Sequence, residues 1–150
     1  MYLLDTNICI DFLHGELSDG FRIMRESPRD LFKLPAVVVG ELLLGVEKAP
    51  LKWQMRERRK VEVFLEEFEV IPFDERCARE LARIRAGLEL QGLTVGSMDI
   101  LIAATAIANQ AVLITNDARE FERIPGLRLE SWHDISGIWE ETAGAGTGRV

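Results

Sequence analysis

The chain has 150 residues, 47% hydrophobic and 29% charged. That balance suits one soluble globular domain and excludes a disordered, collagen-like or disulfide-scaffold chain; a domain of this length hides roughly two-thirds of its unfolded surface. With 18 Lys and Arg against 25 Asp and Glu, the net charge is −7. This argues against a non-specific nucleic-acid coat but not against a nuclease, since bound metal and a local basic patch supply positive charge.

Tyr2–Leu4 is an apolar run stopped by Asp5, which predicts a short buried first strand. Ile8/Phe12 and Cys9/Leu13 then recur at i, i+4, predicting a helix to about Gly15. Leu17, Phe21 and Met24 suggest a second helix that stops near Pro28, and Leu31–Ala36 reads as a second strand. Val38, Leu42 and Val46 mark a helix ending before Pro50. Leu51 to Phe68 predicts another, with Val61, Phe64, Leu65 and Phe68 on one stripe. Val70–Phe73 is a third strand. Cys77, Leu81, Ile84 and Leu88 define an amphipathic helix to Gly92, and Met98 to Asn109 is so apolar that it predicts a buried helix. Ala111–Thr115 and Leu127–Glu130 are the fourth and fifth strands. The Gly-x-Gly-x-Gly spacing near the C-terminus has no strand before it and no helix after it, so it reads as a loose tail rather than a dinucleotide loop.

Strands alternating with helices predict a parallel sheet with helices on both faces. Ligands of such sheets sit beyond the carboxyl ends of the strands, where strand order reverses. The two cysteines, Cys9 and Cys77, lie in apolar helical patterns and read as reduced core thiols, neither disulfide framework nor zinc site. The N-terminus lacks the basic and apolar regions of a secretory signal. The longest uncharged run, Ile100 to Asn116, is shorter than the ~20 apolar residues of a membrane span. A cytoplasmic protein with no membrane association is expected.

Four acids stand at informative places. Asp5 ends the first strand, where it also suits a helix N-cap. Glu41 sits in the apolar run Val37-Val-Val-Gly-Glu-Leu-Leu-Leu-Gly45. Burying it is costly unless it is paired, hydrogen-bonded or metal-bound, although the helix can instead turn it to water. Asp99 opens the most apolar helix; with Ser97 as cap, it would only complement the positive helix end. Asp117 follows the fourth strand and suits the cap of a short helix, with Glu120 three residues on. Jointly, a doubly wound fold gathers all four at one sheet edge, where converging carboxylates cannot all stay ionised without a cation. An all-oxygen site suits Mg²⁺ or Mn²⁺ rather than zinc, and His14 and His133 are not spaced as ligands. Such ions activate water and stabilise a phosphoryl group in transfer, so phosphodiester hydrolysis is the natural chemistry. Thr6, Asn7, Ser97, Thr115 and Asn116 flank the acids, placed to orient them or to cap helices and turns.

Four segments carry a family resemblance: Leu3-Leu-Asp-Thr-Asn-Ile-Cys-Ile10, Val39-Gly-Glu-Leu-Leu-Leu-Gly45, Gly96-Ser-Met-Asp-Ile-Leu-Ile-Ala-Ala104, and Ile114 through Trp132. In this order and at these separations they resemble the PIN-domain ribonucleases, most closely the VapC-type toxins of bacterial toxin–antitoxin pairs. The resemblance implies a three-layer α/β/α sandwich with a mostly parallel five-stranded sheet. It implies Mg²⁺- or Mn²⁺-dependent RNA cleavage, a VapB-type antitoxin covering the site, and a homodimer. Carried over, Asp5 and Asp99 would be the principal metal ligands and Glu41 would complete the first site or act through water; Asp117 ranks first as the fourth acid, with Glu120 the other candidate. Residues 1–133 would form the nuclease domain and 134–150 a C-terminal extension with a flexible tail.

Arg119, Arg123 and Arg128, near the Asp117 edge, are the candidate phosphate contacts. Within this family, the Asp-Thr-Asn-Ile-Cys-Ile start and the Arg-Glu-Phe-Glu-Arg segment resemble toxins that cut initiator tRNA. The alternatives are a less selective endoribonuclease on messenger or ribosomal RNA, and a catalytically silent PIN scaffold, which would lack an acid. Asp-nucleophile phosphatases and response-regulator receivers also begin with a strand and Asp-Thr, but need a later lysine; none follows Lys60. Exposure of Leu51, Trp53 and Met55 would suit a dimer interface.

Overall fold

The structure, a computed structural model, describes residues 1–15 and 19–131. Leu17, His133 and the expected C-terminal extension lie outside the described residues. The chain runs β1 (Tyr2–Leu4), α1 (Thr6–Leu13), α2 (Asp19–Glu26), a 3₁₀ turn (Arg29–Leu31), β2 (Phe32–Pro35), α3 (Ala36–Lys48), α4 (Leu51–Leu65) and β3 (Glu69–Ile71). It continues through α5 (Glu75–Leu90), α6 (Ser97–Ala108), β4 (Val112–Ile114), α7 (Ala118–Phe121) and β5 (Arg128–Glu130).

The sheet order is β3-β2-β1-β4-β5, and every neighbouring pair is parallel. The expected mostly parallel sheet is thus wholly parallel. β1 is central: Leu3 aligns with Lys33 of β2 on one side and Leu113 of β4 on the other. Strand order runs outward through β2 and β3, then reverses to β4 and β5. With right-handed crossovers, that reversal puts helices on opposite faces and completes the α/β/α sandwich. Its switch point lies between the carboxyl ends of β1 and β4.

Burial on both faces explains why these strands are short apolar runs: Leu3, Leu4, Leu34, Leu113 and Ile114 are fully buried. α6 passes through the core with Ile102, Ala103, Ala104, Thr105 and Ala106 inaccessible. Its small residues let it pack closely on α5. The buried hydroxyl of Thr105 is satisfied by the Leu101 carbonyl at 2.8 Å. Cys9 and Cys77 are buried free thiols. α4 stops at Leu65, short of the expected Phe68. Bonds from Glu67 to Phe64 and from Phe68 to Leu65 tighten the chain into a turn. That turn brings the Phe68 ring to 5.0 Å from Phe64. Among the described residues no helix is long and apolar enough to cross a membrane.

Candidate active site

Asp5 leaves β1 at the switch point, its amide bonded to the Ile114 carbonyl of β4 at 3.0 Å. Only 3% of the residue is exposed. Its Oδ1 accepts from the Thr6 amide at 2.8 Å and its Oδ2 from the Thr115 hydroxyl at 2.7 Å. The expected capping role is therefore real, and the same carboxyl also serves a buried tertiary bond. Burial pushes the Asp5 carboxyl above its usual range; the bonds from Thr115 and Thr6 oppose this, while the charges of Glu41 and Asp117 reinforce it.

Thr115 is fully buried and uses its hydroxyl twice, donating to Asp5 and accepting from the Asp117 amide at 3.0 Å. The Thr6 hydroxyl, opening α1, donates to Glu41 Oε2 on α3. Glu41 is half-buried and turned toward α1 rather than away into water. The Asn116 side-chain amide donates to Asp11 on α1 at 2.8 Å, fastening the β4–α7 loop to α1. Asp11 was not singled out from sequence; its one signal is its i, i+4 spacing from Asn7. Asn7 is exposed and makes no side-chain hydrogen bond among the described residues.

Asp99 lies in the first turn of α6. Its pKa is raised to about 6 by burial, by the charge of Asp5, by a hydrogen bond with Glu120 and the charge of that carboxylate, and by Glu41. Gly96 borders this pair. A Cβ there would stand 3.5 Å from Asp99 Oδ2 and 3.9 Å from Glu120 Oε2, so the bare glycine leaves that side open. Ser97 is not the expected cap: Gly96 occupies the cap position without a side-chain bond, and Ser97 is the first helical residue, exposed. Asp117 occupies the cap position of α7 but makes no capping bond, so its exposed carboxylate is free to act on Asp5. The two candidates for the fourth acid thus differ: Glu120 meets Asp99, whereas Asp117 acts on Asp5 through its charge.

Asp5, Glu41, Asp99, Asp117 and Glu120 have no ion-pair partner among the described residues. Elsewhere Glu47, Glu69, Asp74, Glu75, Glu80 and Glu89 each pair with a Lys or Arg. Asp30, Glu62, Glu66, Glu67 and Glu122 also lack an ion-pair partner among the described residues, but they are exposed, whereas Asp5, Glu41, Asp99, Asp117 and Glu120 act on one another's charge where strand order reverses. Among the described residues, no three acidic, histidine or cysteine side chains close on a single point as a metal cage. Mg²⁺ does not need one: it binds through one or two carboxylates and keeps several waters. The all-oxygen donors and the raised Asp5 and Asp99 carboxyls fit such an ion.

The three arginines separate. Arg119, on α7, is exposed and unpaired among the described residues. Arg123 donates from Nη1 to the Thr94 carbonyl at 2.8 Å. Arg128 is not at the Asp117 edge. It enters β5 beside Val112 as that residue enters β4, and it bonds to the Gln110 carbonyl. Because β5 runs parallel to β4, its first residue lies at the opposite end of the sheet from the acids. On α4, Leu51 and Met55 are each 87% exposed. The exposed Trp53 ring has Lys52 and Arg56 over it at 5.1 and 5.9 Å.

The family model for the PIN domain matches residues 2–127. Ribonuclease VapC2 of Rickettsia felis is 36% identical over 133 residues, covering 88% of this chain and 98% of that protein. The tRNA(fMet)-specific endonuclease VapC of Shigella flexneri is 36% identical over 140 residues, covering 87% and 97%. A chain in the crystal structure of VapBC2 from Rickettsia felis, bound to a DNA fragment from their promoter, superposes with a TM-score of 0.79. It is 34% identical over 87% of this chain and 98% of its own. The chain belongs to the PIN-domain family, in its VapC ribonuclease branch.

Proposed function

We propose that this VapC-type toxin is a Mg²⁺- or Mn²⁺-dependent endoribonuclease whose metal ligands are Asp5 and Asp99, assisted by Glu41, Glu120 and Asp117. The observation that carries the reading is the group of acids without ion-pair partners at the switch point, two of them held above the usual carboxylate range. Carboxyls raised by burial and by one another's charge, with no cation side chain beside them among the described residues, are the kind of perturbed group that marks a functional site.

Each side chain has a task. Asp5 is fixed by Thr6 and Thr115, so its direction does not change when substrate arrives. Glu41 is held by the Thr6 hydroxyl, which ties α3 to the same centre. Asp99, raised in the free chain, gives up its proton as a cation takes over the charge, and Glu120 stands beside it as a further oxygen donor. When bound, the ion lowers the pKa of water and offsets charge on the phosphoryl oxygens. Arg119, exposed beside this edge, meets the RNA backbone.

The substrate proposed is initiator tRNA, supported by the name of the Shigella flexneri relative. The partner proposed is a VapB-type antitoxin, supported by the VapBC2 complex of Rickettsia felis. Two chains pair through the apolar end of α4, where Leu51, Trp53 and Met55 are exposed. Residues 1–133 carry the activity, with 134–150 an extension.

The test is cleavage of total RNA by wild type, Asp5→Ala and Asp99→Ala, in Mn²⁺ and in EDTA, with the new ends mapped. One discrete tRNA cut, lost in both variants and in EDTA, is expected. Cutting that persists in both variants overturns the acidic site, and broad cutting of messenger or ribosomal RNA overturns the substrate.

A further inference from the structure

We propose that Arg123 is a positioning residue for the Asp99–Glu120 pair, joining the loop before α6 to the turn after α7 through the Thr94 carbonyl. The inference rests on the metal-site reading above and assigns Arg123 a role other than contacting RNA.

The two acids of this pair come from segments distant in sequence. Asp99 follows the loop Thr94–Gly96, and Glu120 lies on the single turn of α7. Each segment is anchored on its inner side: Val95 is buried under the loop, and Phe121 and Ile124 are buried beneath α7. On the outer side, the Arg123 Nη1 bond to the Thr94 carbonyl, at 2.8 Å, crosses the seam. Arg123 follows Glu120 by three residues, its amide bonded to the Glu120 carbonyl at 3.3 Å. Thr94 precedes the Gly96 cap of α6 by two. The guanidinium therefore fixes the backbone on both sides of the acid pair.

Among the described residues, the Arg123 bond is the one hydrogen bond that joins the loop 94–96 to residues 118–124. Arg123 therefore acts by holding the loop. Residues that orient ligands in this way typically affect metal affinity by tenfold or more.

Arg123→Ala and Arg123→Lys in the full chain provide the test, with three readouts. These are Mn²⁺ affinity by calorimetry without RNA, hydrogen exchange of the Ile100 amide, which bonds to the Gly96 carbonyl, and affinity for a mixed-sequence single-stranded RNA in EDTA. Arg123→Ala is expected to weaken Mn²⁺ binding about tenfold and to speed Ile100 exchange. RNA affinity should stay within about twofold, since no phosphate contact is lost. Arg123→Lys keeps one donor and recovers most of the loss. Should Arg123→Ala fail to fold, Arg123→Lys and Arg123→Gln carry the comparison. Weakened RNA binding with unchanged Mn²⁺ affinity and exchange overturns the proposal in favour of a phosphate contact; no change in any readout also overturns it. If wild type binds no Mn²⁺, the metal reading fails, and Ile100 exchange alone decides: faster exchange in Arg123→Ala supports the clamp, and unchanged exchange overturns it.

Discussion

The Thr115 hydroxyl donates to Asp5 Oδ2 at 2.7 Å, joining two residues 110 positions apart. The bond is fully buried and links the carboxyl ends of β1 and β4 at the switch point. Hydrogen bonds to a charged group contribute more than neutral ones, about 1.5–3 kcal/mol. Thr115→Val keeps the shape and removes the hydroxyl. It should lose stability of about that size and raise the Asp5 carboxyl further; urea denaturation measures the loss. Thr115→Ser retains the donor and should stay near wild type.

Stability should fall as pH rises through the acid range. Asp99 titrates near 6 in the folded chain against an ordinary 3.8, and Asp5 is shifted in the same direction. A carboxyl that is raised on folding holds its proton more tightly in the folded state. Its stabilising effect is complete below the unfolded value and is lost by the folded value. After discounting for solvent around Asp99, the loss is about 1 kcal/mol between about pH 4 and pH 6. Urea midpoints in metal-free buffer across that window check it, and Asp99→Asn should flatten the curve.

Mn²⁺ affinity should run the opposite way, because a bound cation needs the ionised acids. Binding should tighten as pH rises toward about 6 and then level off. Calorimetry at several pH values reads this directly, and a flat profile would remove Asp99 from the ligand set.

Glu120→Gln should matter more to the metal site than Asp117→Asn. Glu120 meets Asp99, whereas Asp117 is exposed and acts on Asp5 only through its charge. A glutamine amide can donate to Asp99, which lowers the Asp99 pKa while removing a ligand. About a tenfold loss of Mn²⁺ affinity is expected for Glu120→Gln, with a smaller one for Asp117→Asn. A larger loss for Asp117→Asn would return Asp117 to first place, and equal losses would give the two acids equal weight.

Gln110 holds a positive φ of 53° where α6 ends and β4 begins. Its amide bonds to the Ile107 carbonyl, and the Ala111 amide to that of Ala106 at 2.9 Å, a helix ending that favours glycine. The left-handed conformation costs a side-chain-bearing residue about 1–2 kcal/mol. Gln110→Gly should raise stability by about 1 kcal/mol, offset in part by the greater freedom of the unfolded glycine. A thermal melt checks the sign.

The sequence by itself determined the elements and the edge at which the acids gather. Leu3–Leu4 and Leu113–Ile114 can be strands buried on both faces only as continuous apolar runs, and parallel strands present their carboxyl ends together. Asp5, Asp99 and Asp117 could therefore be placed near one another without coordinates. Only the tertiary structure decided what each carboxyl touches. The register of β4 on β1 sets Thr115 against Asp5, and that of β5 on β4 sends Arg128 to the far end. The buried Phe121 fixes how the single turn of α7 is rotated, and hence that Glu120 reaches Asp99. Local pattern sets which segments are strand or helix, because periodicity is a property of neighbours in the chain. Side-chain pairing across the switch point is set by packing between segments about a hundred residues apart, and no local spacing encodes it.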